Sequence, residues 1–289
     1  VTDASQIVFS RAAAFGGVEL HCASAGTSEG PLVFLLHGFP EFWYGWRHQI
    51  TPLAAAGYRV IAPDQRGYNL SDKPRDPAVY GLDTLAADIL ALADGFGLEK
   101  FSVVGHDWGA AVAWWLATRY PERLDRLVAL NAPHPAVWLA AQRLIPAQRR
   151  KSWYARFFRL PWLPEQLLRA RRFDALARAL RQAARPGAFS ESDLARYRQA
   201  WSVPGALTGM LNWYRGAIPR DFGPPERYRI TVPTLVLWGA REVYAVRETA
   251  EQSIRMCAGG ELVFFEQATH WVQHDEPERV NRMLLDFLP

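Results

Sequence analysis

Cysteine is nearly absent: Cys22 and Cys257 are the only two in 289 residues, too few for a disulfide framework or a cysteine-built metal site. Nothing in that count argues for secretion, so a reducing cytoplasm is the expected compartment. Long apolar runs are also missing. Runs such as Leu32–Leu36 fall far short of the roughly 18 residues that a membrane span needs. The opening VTDASQ lacks a charged-then-apolar targeting pattern, and the chain is expected to be soluble, with no integral membrane contact. No internal repeat and no low-complexity linker occurs. Hydrophobic residues at 49% and charged residues at 21% exclude a disordered or collagen-like chain, and the length allows one or two domains.

Acids are scarce in one stretch. Residues 141–200 hold 14 Lys or Arg against Glu165, Asp174, Glu191 and Asp193, so this stretch carries +10 and the remainder −6 within a net charge of +4. Phe173, Leu176, Ala177 and Leu180 follow helical spacing, while Arg171, Arg172, Arg178, Arg181 and Arg185 fall elsewhere; this predicts an amphipathic helix with a basic outer face. A solvated face is the plain reading, and a phosphate- or anionic-lipid-binding face the functional one. No nucleic-acid motif accompanies the charge, and no nucleic-acid partner is expected.

What is present is alternation. From Gly17 to Gly105 the pattern reads strand, strand, turn, helix, strand, repeated. Leu32–Leu36 is short, apolar throughout and bounded by Pro31 and Gly38, as a buried parallel strand should be. Residues 58–62, 101–104, 127–130, 234–238 and 262–265 read the same way. Residues 82–93 place Leu85, Ile89 and Leu92 at helical spacing before Gly95 and Gly97. The fold class is therefore α/β, a mostly parallel sheet flanked by helices. Residues 135–218 break the rhythm, being helical and rich in Arg, Trp and Pro. They read as a helical cap inserted between two parts of one core, 1–134 and 219–289, over the strand ends where open α/β sheets bind ligands.

The strongest local signal is Gly105-His106-Asp107-Trp108-Gly109, where a strand runs into a helix through Gly-x-Asp-x-Gly. This is the form of a nucleophile elbow, with small residues permitting a tight turn that lifts the middle side chain. A helix N-cap aspartate is the plain alternative, but an N-cap does not require glycine on both sides. Upstream, His37-Gly38-Phe39-Pro40 follows a buried strand. A tetrahedral oxyanion needs two fixed donors, which this architecture takes from the residue after the nucleophile and from this loop: the backbone N–H groups of Trp108 and Phe39. His270 stands in the loop after the last strand, and the chain order nucleophile, acid, histidine points to Glu242 after the preceding one, with Glu248 and Glu251 close by. His270 and His274 are spaced i, i+4, but residue 271 is Trp, so the HExxH pattern fails and no metal is expected. No cofactor is called for.

Taken together, HGFPEFWYGWR from His37, GYRVIAPDQRGYNLSDKP from Gly57, GHDWGAA from Gly105, LNAPHP from Leu130, NWYR from Asn212 and THWVQHDEPERVN from Thr269 resemble the α/β-hydrolase-fold epoxide hydrolases in order and spacing. The resemblance runs over nearly the whole chain. It implies Asp107 as nucleophile, His270 as base, Glu242 at the acid position, and two cap tyrosines that bind the epoxide oxygen, Tyr214 in NWYR and Tyr154 in SWYARFF. It further implies a pocket lined by His37, Phe39 and Trp108, an epoxide and water as the small-molecule partners, and detoxification as the role; a homo-oligomer is left open. Two positions depart from the family: the acid is more usually Asp, and Asn69 stands where a turn glycine is expected. Asn tolerates the left-handed conformation, whereas Glu is one methylene longer than Asp.

The chemistry asks for these residues. A carboxylate attacking a carboxylic ester would give a mixed anhydride, but at saturated carbon it gives an ordinary ester, which water can then cleave. An alkoxide leaving group needs a proton, and a phenol of reference pKa about 10 can supply it; a halide needs only weak donors. By resemblance, a haloalkane dehalogenase would carry Asn at the position of Phe39. A haloalkane or haloacid dehalogenase, and a ligand-binding protein of the same fold without turnover, are the alternatives.

Overall fold

The computed structural model describes residues 6–217 and 222–289. Eight strands form one sheet: β1 (Val8–Ala13), β2 (Glu19–Ala25), β3 (Leu32–Leu36), β4 (Arg59–Pro63), β5 (Phe101–His106), β6 (Leu124–Leu130), β7 (Thr234–Gly239) and β8 (Gly260–Phe265). Their spatial order is β1-β2-β4-β3-β5-β6-β7-β8. β1, β2 and β4 pair antiparallel, and every other pair is parallel. The reading of β3, β5 and β7 as buried strands is met by burial of every residue in them.

Side chains alternate across this sheet as a period of two requires. Val33 and Leu35 of β3 pack on one face with Ile50 and Leu53 of α1 (Arg47–Ala55). Phe34 and Leu36 pack on the other with Leu85 and Ile89 of α2 (Leu82–Gly95) and Val112 of α3 (Trp108–Arg119). From β3 the chain crosses through α1 to β4 on one side, then through α2 to β5 on the other side. The strand order reverses at β3, and the crevice beyond the carboxyl ends there is where such sheets hold ligands.

Between β6 and β7 run α4 (Pro135–Leu144), α5 (Pro146–Lys151), α6 (Trp153–Phe157), α7 (Leu163–Gln182), α8 (Glu191–Ser202) and α9 (Ala206–Gly216), with no strand among the described residues. The expected end of this insert, residue 218, lies outside the described residues. Buried indole N–H groups tie it to the core: Trp201 donates to the Pro40 carbonyl at 2.6 Å and Trp213 to the Arg66 carbonyl at 2.8 Å. The expected amphipathic helix is corrected in one respect. Phe173, Leu176, Ala177 and Leu180 are buried and Arg178 and Arg181 exposed, but Ala170–Phe173 leave helical geometry, with Arg171, Arg172 and Phe173 at φ 49, 57 and 61. An unbroken helix would turn Arg171 or Arg172 inward beside buried Leu168, three or four residues on; the break leaves both arginines in solvent and buries Phe173. The chain closes with α10 (Arg247–Arg255), α11 (Val272–Asp275) and α12 (Pro277–Phe287), whose Val280 and Leu284 cover the α1 face. No helix among the described residues is long and apolar enough to cross a membrane.

Candidate active site

Asp107 sits between β5 and α3 at φ 51, ψ −119, a sparsely populated conformation for a residue with a side chain. Its neighbours must be small: a Cβ at Gly109 would fall on the Leu36 carbonyl, one at Gly105 on the backbone of Gly109, and one at Gly38 on the Asp107 carboxylate itself. With these contacts closed up, the Phe39 backbone N–H donates to Asp107 Oδ1 at 2.9 Å. Trp108, which opens α3, lines the cavity above the carboxylate.

The loops after β6, β7 and β8 bring up the other groups. His270 Nε2 lies 3.7 Å from Asp107 Oδ2, and its Nδ1 lies 2.6 Å from Glu242 Oε2. Glu242 is held from three sides, by His270, by Asn131 Nδ2 at 2.6 Å, and by the Tyr244 backbone N–H, which donates to Oε1 at 2.6 Å. Asn131, at φ 45 just past β6, also accepts from the Gly239 N–H at 2.9 Å. The extra methylene of Glu is thus accommodated by a bent and fully hydrogen-bonded loop. Burial pushes the Glu242 carboxyl up, but the charge and hydrogen bond of His270 outweigh it and hold the pKa below the usual range. Burial likewise works against the imidazolium of His270, yet Glu242 and then Asp107 raise its pKa above the ordinary value.

Tyr154 and Tyr214 face Asp107 from the insert, their rings 6.0 Å apart and nearly perpendicular. Burial, reinforced by the charge of Asp107, pushes both phenols well above their usual pKa. A third phenol, Tyr244, stands edge-on to the His270 ring at 4.8 Å. Two cavities meet here, sharing Asp107, Tyr154, Tyr214, Tyr244 and His270. One reaches toward Trp138 and Phe222; the other, of about 550 Å³, runs past Phe39, Phe158 and Leu176.

The expectation for His37 is corrected. Its ring is fully buried, with Nε2 accepting from the Gln65 N–H at 3.0 Å and Nδ1 3.0 Å from the Gly38 carbonyl oxygen, and it lines neither cavity. It braces the loop from behind. Asn69 does adopt the left-handed conformation, at φ 40.

Sequence reasoning missed a buried network around Glu41. His274 Nε2 donates to Glu41 Oε1 at 2.8 Å, Tyr197 Oη donates at 2.6 Å, and Gln273 Nε2 reaches Oε2 at 3.1 Å. His106 Nδ1 lies 3.4 Å from the same carboxylate, while its Nε2 is 2.8 Å from the His270 carbonyl oxygen. Burial pushes Glu41 up, but the histidines against it hold it well below the usual range. Its signals, the Glu of HGFPE and the His of GHD, were in view, but the pairing of Glu41 with His274 spans 233 residues and no local pattern encodes it. His270 and His274 thus face different carboxylates, and no group of three or more His, Cys, Asp or Glu among the described residues could hold a metal.

Comparison with known proteins bears on the fold and the family. Residues 31–277 match the family model of the alpha/beta hydrolase fold. The chain is 49% identical to the AB hydrolase superfamily protein YfhM of Bacillus subtilis, over 94% of this chain and 95% of that one. It is 38% identical to human epoxide hydrolase 4, over 94% and 76%. Among solved structures, an epoxide hydrolase from hot-environment metagenomes superposes with a TM-score of 0.87 at 34% identity, covering 98% of this chain and 99% of that one. The inhibitor complex of Bacillus megaterium epoxide hydrolase gives 0.87 at 30% identity, covering 96% and 99%. The chain therefore belongs to the α/β-hydrolase-fold epoxide hydrolase family.

Proposed function

We propose that this enzyme opens an epoxide to a vicinal diol through a covalent ester on Asp107, with the helices after β6 acting as a cap. The observation that carries the reading is a carboxylate facing two phenols across one apolar cavity, with a histidine–glutamate pair behind it. Asp107 attacks an epoxide carbon along the carbon–oxygen bond, and Tyr154 and Tyr214 hydrogen-bond the departing oxygen and give it a proton. Their raised pKa keeps both phenols protonated until an alkoxide forms.

The ester carbonyl then sits where Oδ1 meets the Phe39 N–H. His270, oriented by Glu242, takes a proton from water as its oxygen attacks Asp107 Cγ, and the N–H groups of Phe39 and Trp108 hold the oxyanion. Collapse expels the diol alkoxide, which recovers a proton from the imidazolium, and leaves Asp107 a carboxylic acid whose proton returns through water to the phenolate, restoring the Asp107 carboxylate and the tyrosine. The second oxygen of the first diol thus comes from Asp107, and the water oxygen stays in the enzyme.

Rapid-quench measurement with an aryl epoxide tests the tyrosines. Tyr214→Phe and Tyr154→Phe are each expected to slow ester formation by about 10- to 100-fold, in the range of a lost general acid, and to leave ester hydrolysis nearly unchanged. Slowed hydrolysis with normal ester formation contradicts the assignment. Halide release from a haloalkane, with no diol from any epoxide, would replace the reading with dehalogenation.

A further inference from the structure

Catalysis leaves the solvent-facing side of one part of the insert unused. Between residues 144 and 172 every exposed side chain is an arginine or apolar, Gln166 excepted. The single acid there, Glu165, is buried and bound to Arg215 at 2.7 Å. Five of the eleven exposed large apolar side chains among the described residues fall in this run, including Trp153 at 65%, Trp162 at 68% and Leu167 at 53% exposure. Arg149, Arg150, Arg156 and Arg159, and at the helix break Arg169, Arg171 and Arg172, make no ion pair among the described residues. Further along, Arg178, Arg181 and Arg185 pair with Asp174, Glu191 and Glu276. The basic face is therefore two surfaces, one neutralised internally and one left open beside exposed indoles.

Two more observations bear on what covers the open half. Arg169, Arg171, Arg172 and Arg198 line one cleft that no carboxylate lines. The larger catalytic cavity reaches solvent at Arg150 and Trp153, members of the same run. Indole and leucine side chains partition into the headgroup layer of a bilayer, and arginines beside them gain from lipid phosphates. Uncompensated positive charge with exposed Trp and Leu fits that surface better than it fits water.

We propose that this face docks on an anionic phospholipid bilayer, with Trp153, Leu160, Trp162 and Leu167 entering the headgroup layer and the arginines meeting phosphates, so that the catalytic cavity opens toward the membrane. Docking rests on the surface alone, while delivery of a lipophilic epoxide from the bilayer to Asp107 rests also on the proposed function.

The test is co-sedimentation of the full chain with vesicles, scored by bound protein without turnover, so that a failure of docking and a failure of the catalytic reading remain separate results. Binding is expected to phosphatidylcholine vesicles containing phosphatidylglycerol, with little to phosphatidylcholine alone, and to disappear at high salt. At about fivefold per arginine, Arg169→Gln/Arg171→Gln/Arg172→Gln should lower partitioning about 100-fold. Trp162→Ser/Leu167→Ser should lower it by at least about tenfold. Both variants should keep the wild-type circular dichroism and the wild-type hydrolysis of a water-soluble epoxide. No binding to anionic vesicles at low salt, or binding by both variants equal to that of the wild type, overturns the proposal. So does a wild-type dimer in sedimentation equilibrium that Trp162→Ser/Leu167→Ser splits, since the face would then belong to a second copy of the chain.

Discussion

Two buried glutamates in this molecule each hold a histidine, and the two histidines are tuned in opposite directions. Glu242 lies 2.6 Å from His270 Nδ1, and the His270 pKa is raised. Glu41 lies 2.8 Å from His274 Nε2, and burial, with the charge of Arg47, keeps the His274 pKa below the ordinary value despite Glu41. Geometry says the same: Arg47 Nη1 is 3.1 Å from His274 Nδ1, and a guanidinium only donates, so that nitrogen is an unprotonated acceptor. The third group decides. His270 has the carboxylate of Asp107 at 3.7 Å on its free side, and His274 has a cation. The first pair is poised to take up a proton, and in the second the histidine is locked neutral against a carboxylate that Tyr197 of the insert also binds.

The largest expected effect separates the two histidines. His270→Gln should still form the ester and stall there, so that intact mass rises by one substrate mass and hydrolysis falls by about 1,000-fold or more, the scale of losing a triad base. His274→Gln should hydrolyse the ester within about tenfold of wild type while losing stability. An unmodified His270→Gln protein under saturating epoxide contradicts a base that acts only in the second step.

Next come the glutamates. Glu242→Gln is expected to slow ester hydrolysis by about 100- to 10,000-fold, because the amide cannot stabilise imidazolium; less than about tenfold would mean another group orients His270. Glu41→Gln should instead lower the free energy of unfolding by about 3 kcal/mol, as for one half of a buried pair, read from denaturant midpoints.

These comparisons also mark how far the sequence was legible. β3, β5 and β7 could be read because burial on both faces demands unbroken apolar runs. β1 could not, since nearly all of its residues are exposed and its place at the sheet edge leaves no alternation to detect. Asp107, Glu242 and His270 were legible because each follows a strand in a fixed chain order. Tyr154 carried no such signal, sitting in the five-residue α6 among aromatics that serve packing. The break at Ala170–Phe173 was hidden because the apolar spacing beyond it is helical on its own. Asn131 and Glu41 act through partners more than 100 residues away, and long-range hydrogen bonds leave no period in a sequence.

A smaller effect is the dependence on pH. Ester hydrolysis needs neutral His270, so its rate should fall as pH drops through a pKa above the ordinary 6.5, and Glu242→Gln should move that fall to lower pH. The sign for stability is the reverse: the raised pKa of His270 contributes stability that is present below about 6.5 and lost as pH rises through the folded-state pKa. His274, with its pKa lowered, contributes stability above about 6.5 that is lost as pH falls.

His134 supplies the limiting case of a histidine with no carboxylate at all. Burial lowers its pKa to about 3, and the neutral ring accepts from the Ala136 N–H at 3.1 Å and lies 3.0 Å from Thr118 Oγ1. Between pH 6.5 and 3 it should cost about 1.4 kcal/mol of stability per pH unit, and His134→Gln should flatten that part of the acid-unfolding curve. A curve unchanged by the substitution would mean the ring ionises without penalty.

The central claim is that Asp107 forms a bond with the substrate. A single turnover of excess enzyme with styrene oxide in ¹⁸O-water, followed by mass spectrometry of the diol and of the Asp107 peptide, tests it directly. The account predicts label in the peptide and mostly unlabelled oxygen in the first diol; label in the diol alone would mean that water attacks the epoxide directly and that Asp107 is not the nucleophile.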